Sequence, residues 1–253
     1  ANLLLANDTN LIYTDGGVLP NQLAPACRYV TDAEDRLWCG GLFDRNILEA
    51  SKIRVPGEPW NFTGDPSHQV VLPDECSGIA YMDGQIVAFT PSGIYLVGGD
   101  GPNDQGAGSF LPPRAYVRGL GVPLANERSI LETEAGIFFR SSSSWYIIPR
   151  GFGAPIDVGA AVQSENGYPI AATVTDTAEY RLARFLVADD PDEATSGTLL
   201  TFDLANQQWF RDVYPGGDFS TIGNWPDGLA LFQNDLSSNA GAVRNVVWSE
   251  DED

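Results

Sequence analysis

The sequence holds one histidine, His68, and three cysteines, Cys27, Cys39 and Cys76, beside 34 aspartates and glutamates. Nucleophilic, acid–base or metal chemistry would have to be assembled from these. A Ser-His-Asp triad must use His68, in Asp65-Pro66-Ser67-His68-Gln69, and no G-x-S-x-G elbow accompanies it. His68 is therefore expected as an ordinary exposed loop residue, and one histidine does not make a His-based metal cluster. Three cysteines without a CxxC pair argue against a disulfide framework and a four-ligand zinc site. They leave a single Cys27–Cys39 bridge across two strands or, as the favoured expectation, buried free thiols.

The carboxylates are numerous but unpatterned. Glycoside hydrolysis needs two carboxyls about 5–10 Å apart, one with a raised pKa. Most acids here, such as Asp83 and Asp227, have the neighbours of turn formers. The loop Asp100-Gly101-Pro102-Asn103-Asp104-Gln105-Gly106 is rich in oxygen donors, as a calcium loop would be. It lacks the D-x-[DN]-x-[DN]-G order and the closing Glu, so it reads as a connector. Asp189-Asp190-Pro191-Asp192-Glu193 reads as a solvated loop. Gly98-Gly99-Asp100-Gly101 follows a strand but opens no helix, so no nucleotide fingerprint is present. The residues thus assign no catalytic, cofactor or metal site, and the expectation is a protein that is not an enzyme.

The elements that carry these residues are strands. Short β-branched and aromatic runs bounded by Gly, Asp, Asn, Ser and Pro predict strands at Arg36–Cys39, Ile47–Ser51, Gly78–Met82, Gln85–Thr90, Ile94–Val97, Arg114–Arg118, Arg128–Thr133, Ile137–Arg140 and Trp145–Ile148. More follow at Ile170–Thr175, Leu182–Ala188, Thr198–Phe202, Gln208–Val213, Gly228–Phe232 and Val243–Trp248. The best short helix candidate is Leu42–Ala50. Asp83-Gly84 is a strong hairpin signal, and Asn166-Gly167 and Asp227-Gly228 are weaker ones.

The chain also repeats itself. Gly78–Gly99 matches Ser129–Arg150 at a constant offset: Ile79 with Ile130, Ile86 with Ile137, Ser92 with Ser143, Tyr95 with Tyr146, and Leu96-Val97 with Ile147-Ile148. Four short strands recurring about every 50 residues read as propeller blades. Ile170–Val213 gives another such unit, and Leu11–Ser51 and Phe219–Trp248 give one less complete unit each. The expected fold is all-β, a β-propeller-like array of about five four-stranded antiparallel blades in a single domain over residues 1–253, with a β-sandwich as the alternative. Sheets stacked face to face need apolar residues on both faces, which accounts for non-alternating runs such as Ile137-Phe138-Phe139.

Charge and composition narrow the function. The 253 residues carry a net charge of −20, from 14 basic and 34 acidic side chains. That is a poor footing for general nucleic-acid binding, which relies on clustered cations, and it favours solubility or a cationic partner. Lys52 is the only lysine, so the cations are arginines suited to planar, bidentate contacts. Arg114, Arg118, Arg128, Arg140 and Arg150 form a local enrichment that reads as a docking surface or as exposed blade edges. No apolar run approaches the ~18 residues of a membrane helix, and no membrane insertion is expected. The chain opens on Ala1 with Met82 as its sole methionine and stops at Glu250–Asp253, directly after Val246-Val247-Trp248. It therefore reads as a portion of a longer protein.

Two groups of residues resemble a recurring blade pattern of tailed-bacteriophage β-propeller virion proteins of the tail nozzle, hub or stabilisation type. One is Arg36-Leu37-Trp38, Arg45-Asn46-Ile47 running to Ser51-Lys52, and Pro59-Trp60-Asn61-Phe62. The other is Gly93-Ile94-Tyr95-Leu96-Val97 followed by Gly98-Gly99-Asp100-Gly101-Pro102. The resemblance covers Thr31–Gly153, about half the chain. It implies an architectural role in the virion, assembled in the host cytoplasm. Copies would surround a DNA channel and touch neighbouring tail proteins, without specific DNA binding, cofactors or catalytic residues. Two alternatives stay open. One is a propeller glycan-binding module or glycosidase, which would expose Trp60, Trp145, Trp209 or Trp225 beside paired carboxylates. The other is a β-sandwich receptor-binding or capsid decoration protein.

Overall fold

The computed structural model describes residues 3–6, 11–14, 19, 21–103, 106–162, 167–176, 181–190, 192–193, 195–214, 219–225, 228–233 and 242–246. Its contacts divide the chain into two compact units, Ala1–Pro123 and Leu124–Asp253.

The first unit begins with a hairpin of β1 (Leu3–Ala6) and β2 (Leu11–Thr14). The first four-stranded sheet runs in chain order through β3 (Tyr29–Ala33), β4 (Arg36–Gly40), β5 (Ile47–Ala50) and β6 (Gln69–Val71). The second runs through β7 (Gly78–Met82), β8 (Gln85–Thr90), β9 (Gly93–Val97) and β10 (Arg114–Arg118). Every pairing is antiparallel. The tight turns explain the register. Glu34 and Asp35 (φ 49° and 57°) join β3 to β4, and Asp83 and Gly84 (φ 50° and 75°) join β7 to β8. Positive φ at both central residues gives a primed turn whose twist matches the strands it joins.

These two sheets pack face to face. Trp38, Leu48, Ala50, Val70 and Leu72 of the first meet Ile79, Ile86, Ala88, Tyr95 and Val97 of the second in one apolar cluster. Their first strands, β3 and β7, lie against one another.

The second unit repeats the design. The third sheet is β11 (Leu131–Thr133), β12 (Gly136–Arg140), β13 (Trp145–Pro149) and β14 (Ile156–Asp157). The fourth is β15 (Tyr168–Asp176), β16 (Arg181–Ala188), β17 (Thr198–Asp203) and β18 (Gln208–Val213). The fifth has three strands, β19 (Phe219–Trp225), β20 (Gly228–Gln233) and β21 (Ala242–Val246). The first strands again touch in sequence, β11 against β15 and β15 against β19.

The fourth sheet decides between blade and sandwich. Phe185, Val187, Leu200 and Phe202 pack against Phe138, Trp145 and Ile147 of the third sheet. Leu186, Ala188 and Leu199 pack against Phe219, Ile222, Leu229 and Leu231 of the fifth. Alternate side chains of one strand thus enter two separate cores. A two-sheet sandwich gives each sheet only one buried face. The fold is an all-β, propeller-like array of four-stranded antiparallel sheets, and the sandwich alternative falls.

The repeat holds at the level of hydrogen-bond register. Ile86 pairs with Val97, Val87 with Leu96, Ala88 with Tyr95 and Phe89 with Ile94. Ile137 pairs with Ile148, Phe138 with Ile147, Phe139 with Tyr146 and Arg140 with Trp145. Each pair maps onto its counterpart at the same offset, so Tyr95 and Tyr146 hold equivalent places. The β8–β9 and β12–β13 turns are also built alike. The Thr90 hydroxyl donates to the carbonyl of Gly93 (2.9 Å) and accepts from its N–H (3.0 Å). The Ser141 hydroxyl does the same with Ser144, at 3.2 Å each way.

Several expectations need correction. Leu42–Ala50 is not a helix: Ile47 N–H closes a turn on the Asp44 carbonyl, and β5 follows. Residues 128 and 129 do not open a strand, because Leu124–Ser129 is a 3-10 turn and β11 begins at Leu131. The first unit of four strands is not Leu11–Ser51. β2 belongs to the separate hairpin, and the sheet takes its fourth strand from Gln69–Val71. Asn166, Asp227, Val247 and Trp248 lie outside the described residues.

Candidate functional site

The polar groups of the first unit converge on Arg36, which opens β4 and is almost fully buried. Its Nη1 donates to the Ser51 carbonyl at 2.7 Å, and its Nη2 to the carbonyls of Asp100 (3.1 Å) and Pro102 (2.5 Å). Its guanidinium also lies over the Phe110 ring, 5.5 Å from the centroid. Ser51 completes the joint. Its hydroxyl accepts from Leu37 N–H and donates to the Lys52 carbonyl. Lys52 is buried, and its Nζ donates to the Leu19 carbonyl at 2.8 Å.

The oxygen-rich loop from Asp100 is thereby explained. Two of the backbone oxygens that a cation would use already face a fixed guanidinium charge. Asn103 closes the rest of the loop through Ala107, accepting on Oδ1 and donating from its N–H. Asp104 and Gln105 lie outside the described residues. Beside Arg36 a depression is lined by Glu34, Trp38, Tyr81, Asp100 and Phe110 and admits about one water molecule. The Tyr81 hydroxyl donates to Glu34 Oε1 at 3.4 Å. Among the described residues no three His, Cys, Asp or Glu side chains converge as a metal site.

His68 is the chief correction to the site reading. It is 0 % exposed, at the end of the 3-10 turn Pro66–His68. Its Nδ1 is 3.2 Å from Ser67 Oγ, a serine–histidine contact between chain neighbours. Asp65 caps the turn, its Oδ1 accepting from Ser67 N–H at 2.8 Å. The Ser67 side-chain and backbone bonds, with a smaller contribution from nearby His68, hold the Asp65 carboxyl below its usual range. In a catalytic triad the acid orients the imidazole. Here it orients the turn. The sequence pointed outward because Asp-Pro-Ser is loop chemistry, and no local signal announced that the imidazole turns into the core.

Glu49 on β5 is a further buried titratable group of this sheet. It accepts from Gln69 Nε2 at 3.3 Å, and burial raises its carboxyl above the usual range despite that bond. The three thiols are free. Cys27 is half-buried, while Cys39 and Cys76 are buried. Burial, and then the hydrogen bond to Cys27, lift the Cys39 thiol far above its ordinary range. Burial pushes Cys76 up to about 11.

The enriched arginines take several roles. Arg114 and Arg118 are exposed at the two ends of edge strand β10. Arg128 donates to the Ile170 carbonyl, and Arg150 to the carbonyls of Glu134 and Thr133. Arg140 is buried, bonded to Asn126 Oδ1 at 3.0 Å and set over the Tyr168 ring. Arg184 is buried likewise and donates to Thr175 Oγ1 at 2.7 Å. Desolvation lowers both guanidinium pKa values. The acidic loop is a turn in which Asp190 Oδ1 accepts from Asp192 N–H and the Asp190 carbonyl from Glu193 N–H.

Of the tryptophans considered for a glycan platform, Trp145 and Trp209 pack into the apolar cluster of the third and fourth sheets. Trp145 is buried against Phe185, 4.5 Å between centroids, and Trp209 packs on Phe202 at 5.0 Å. The indole N–H of Trp209 donates to the Val158 carbonyl. Trp60 is half-buried under the Arg54 guanidinium, and Trp225 closes β19.

With this geometry in hand, comparison with known proteins supports the fold. No family model matches the chain, and neither does any curated protein. Among solved structures, dihydro-heme d1 dehydrogenase NirN, in complex with DHE, is similar at a TM-score of 0.51 and 10% identity, over 92% of this chain and 50% of that one. The extracellular domain of a putative hybrid two-component system from B. thetaiotaomicron matches at a TM-score of 0.47 and 16% identity, over 91% of this chain and 30% of its own. BamB from Moraxella catarrhalis matches at 0.44 and 14%, over 92% of this chain and 71% of its own. The chain thus spans half or less of the first two. At such identities the likeness is one of fold. Among the described residues no helix is long and apolar enough to cross a membrane.

Proposed function

We propose that this β-propeller module is a structural part of a tailed-phage virion, set in the tail as a nozzle- or hub-type component around the DNA channel. It contacts copies of itself and neighbouring tail proteins. The observation that carries this reading is the bonding of Arg36 to Asp100 and Pro102. These residues belong to the two segments that resemble the tail-protein blade pattern, and the pattern marks architecture rather than chemistry. Arg36, Ser51, Lys52, Asp100 and Pro102 spend their polar groups tying loops to sheets. The net charge of −20 suits a wall past which DNA slides without being held.

The test is to look for the chain by electron cryomicroscopy of intact particles of a tailed phage whose genome encodes it. Density for the chain in the tail below the portal is the expected result. Density in the capsid shell, or none, overturns the reading. A gel-shift titration with double-stranded DNA at low salt should show no retention.

A further inference from the structure

Cys27 and Cys39 are separate thiols whose side chains interact with one another. Backbone geometry brings them together. Arg28 N–H donates to the Gly40 carbonyl at 3.1 Å, just beyond the Val30–Cys39 pair of the β3–β4 ladder. The chain bends at Arg28, which breaks the strand alternation and lets Cys27 reach across to β4. It passes close by: a Cβ on Gly41 would lie 3.0 Å from Arg28 Cβ.

The third thiol is on the other side of the sheet. Cys39 pairs with Glu49 on one face, whereas Trp38 and Ala50 share the opposite face with Cys76. Cys76 Sγ donates to the Gly78 carbonyl at 3.5 Å.

We propose that Cys27 and Cys39 are a dithiol oxidation site, closed to a disulfide by low-molecular-weight disulfides such as glutathione disulfide. Cys27 is the half-buried thiol and the point of entry. Its thiolate attacks one sulfur of the glutathione disulfide, forming a mixed disulfide and releasing one glutathione thiolate. Cys39 attacks Cys27 Sγ as its proton passes to the second glutathione, which leaves as a thiol, and the first glutathione thiolate takes up the proton that Cys27 gave up. The protein dithiol loses two electrons and two protons, and one glutathione disulfide becomes two glutathiones. The bond ties the segment before β3 onto β4 across the Glu34-Asp35 hairpin, and its formation does not depend on where the protein works.

The test incubates the folded chain with excess glutathione disulfide, quenches in acid, denatures, and counts thiols. Wild type should fall from three titratable thiols to one, with a Cys27–Cys39 linked peptide in the digest. Cys76→Ala should fall from two to none, and Cys27→Ser, which alters only a half-buried position, should gain no internal bridge. The urea midpoint should rise on oxidation of wild type and stay level in Cys27→Ser. Three thiols remaining, a product that stops at glutathionylated Cys27, or a bridge to Cys76 overturns the proposal.

Discussion

The Arg36 guanidinium donates to the carbonyl of Pro102 across 66 residues of sequence, at 2.5 Å, inside the protein. With the Asp100 and Ser51 carbonyls it forms a joint that holds the loop after β9 to β4 and the end of β5 in the first sheet. A buried charge is tolerable only when its donors are satisfied. Here backbone carbonyls do that.

Arg36→Ala leaves two buried acceptors and one part-buried one without their donor, and the expected loss is ~3–5 kcal/mol. Arg36→Lys keeps the charge but not the planar fork, and should lose roughly half as much. Equilibrium urea unfolding of the three chains checks the order.

Thr90 and Ser141 share the bond pair to the residue three positions on, and Ser141 adds one weak bond from Ser143 N–H, so their truncation should cost nearly the same. Thr90→Ala and Ser141→Ala are each expected to lose ~1 kcal/mol, and the exchange Thr90→Ser about nothing. Thermal unfolding of the four chains is the measurement. Unequal losses would mean that the two turns are alike in register only.

Glu49 gives a pH-dependent signature. Burial raises its carboxyl above 4.5, so the folded chain prefers the protonated form. The stability from that preference is full below about 4.5 and is lost as pH rises through the raised value. Glu49→Gln keeps an acceptor for Gln69 and removes the charge. Its stability should equal wild type near pH 4 and exceed it at pH 7 to 8, read from paired denaturant curves.

Phe185 touches both Trp145 and Trp209. Phe185→Ala opens a cavity in the core between the third and fourth sheets and should lose ~3–5 kcal/mol. The near-ultraviolet circular dichroism of the indoles should weaken at temperatures where the far-ultraviolet signal persists.

The strands were legible where turn chemistry was local. Asp83-Gly84 fixes one hairpin, and the predicted bounds Gly78–Met82, Gln85–Thr90, Arg114–Arg118 and Gln208–Val213 are those of β7, β8, β10 and β18. Leu42–Ala50 misled because Phe43, Ile47 and Ala50 have helical spacing. Gly41 with φ 64° and the turn at Asp44 override it, leaving Phe43 at 100 % exposure. The Arg36 joint was illegible for a different reason. Its acceptors are main-chain oxygens, which carry no side-chain signature, and they lie far away in sequence. His68 likewise gave no local sign, since the turn Asp65 caps decides where the ring goes.

Each four-stranded sheet takes its strands in chain order from one uninterrupted stretch of sequence. The hydrogen bonds within a sheet therefore close short loops, at small entropic cost. During translation the last strand of one sheet clears the ribosome before the first strand of the next has been made. The long-range bond from Arg36 is formed late, as a latch set once its second loop has been synthesised.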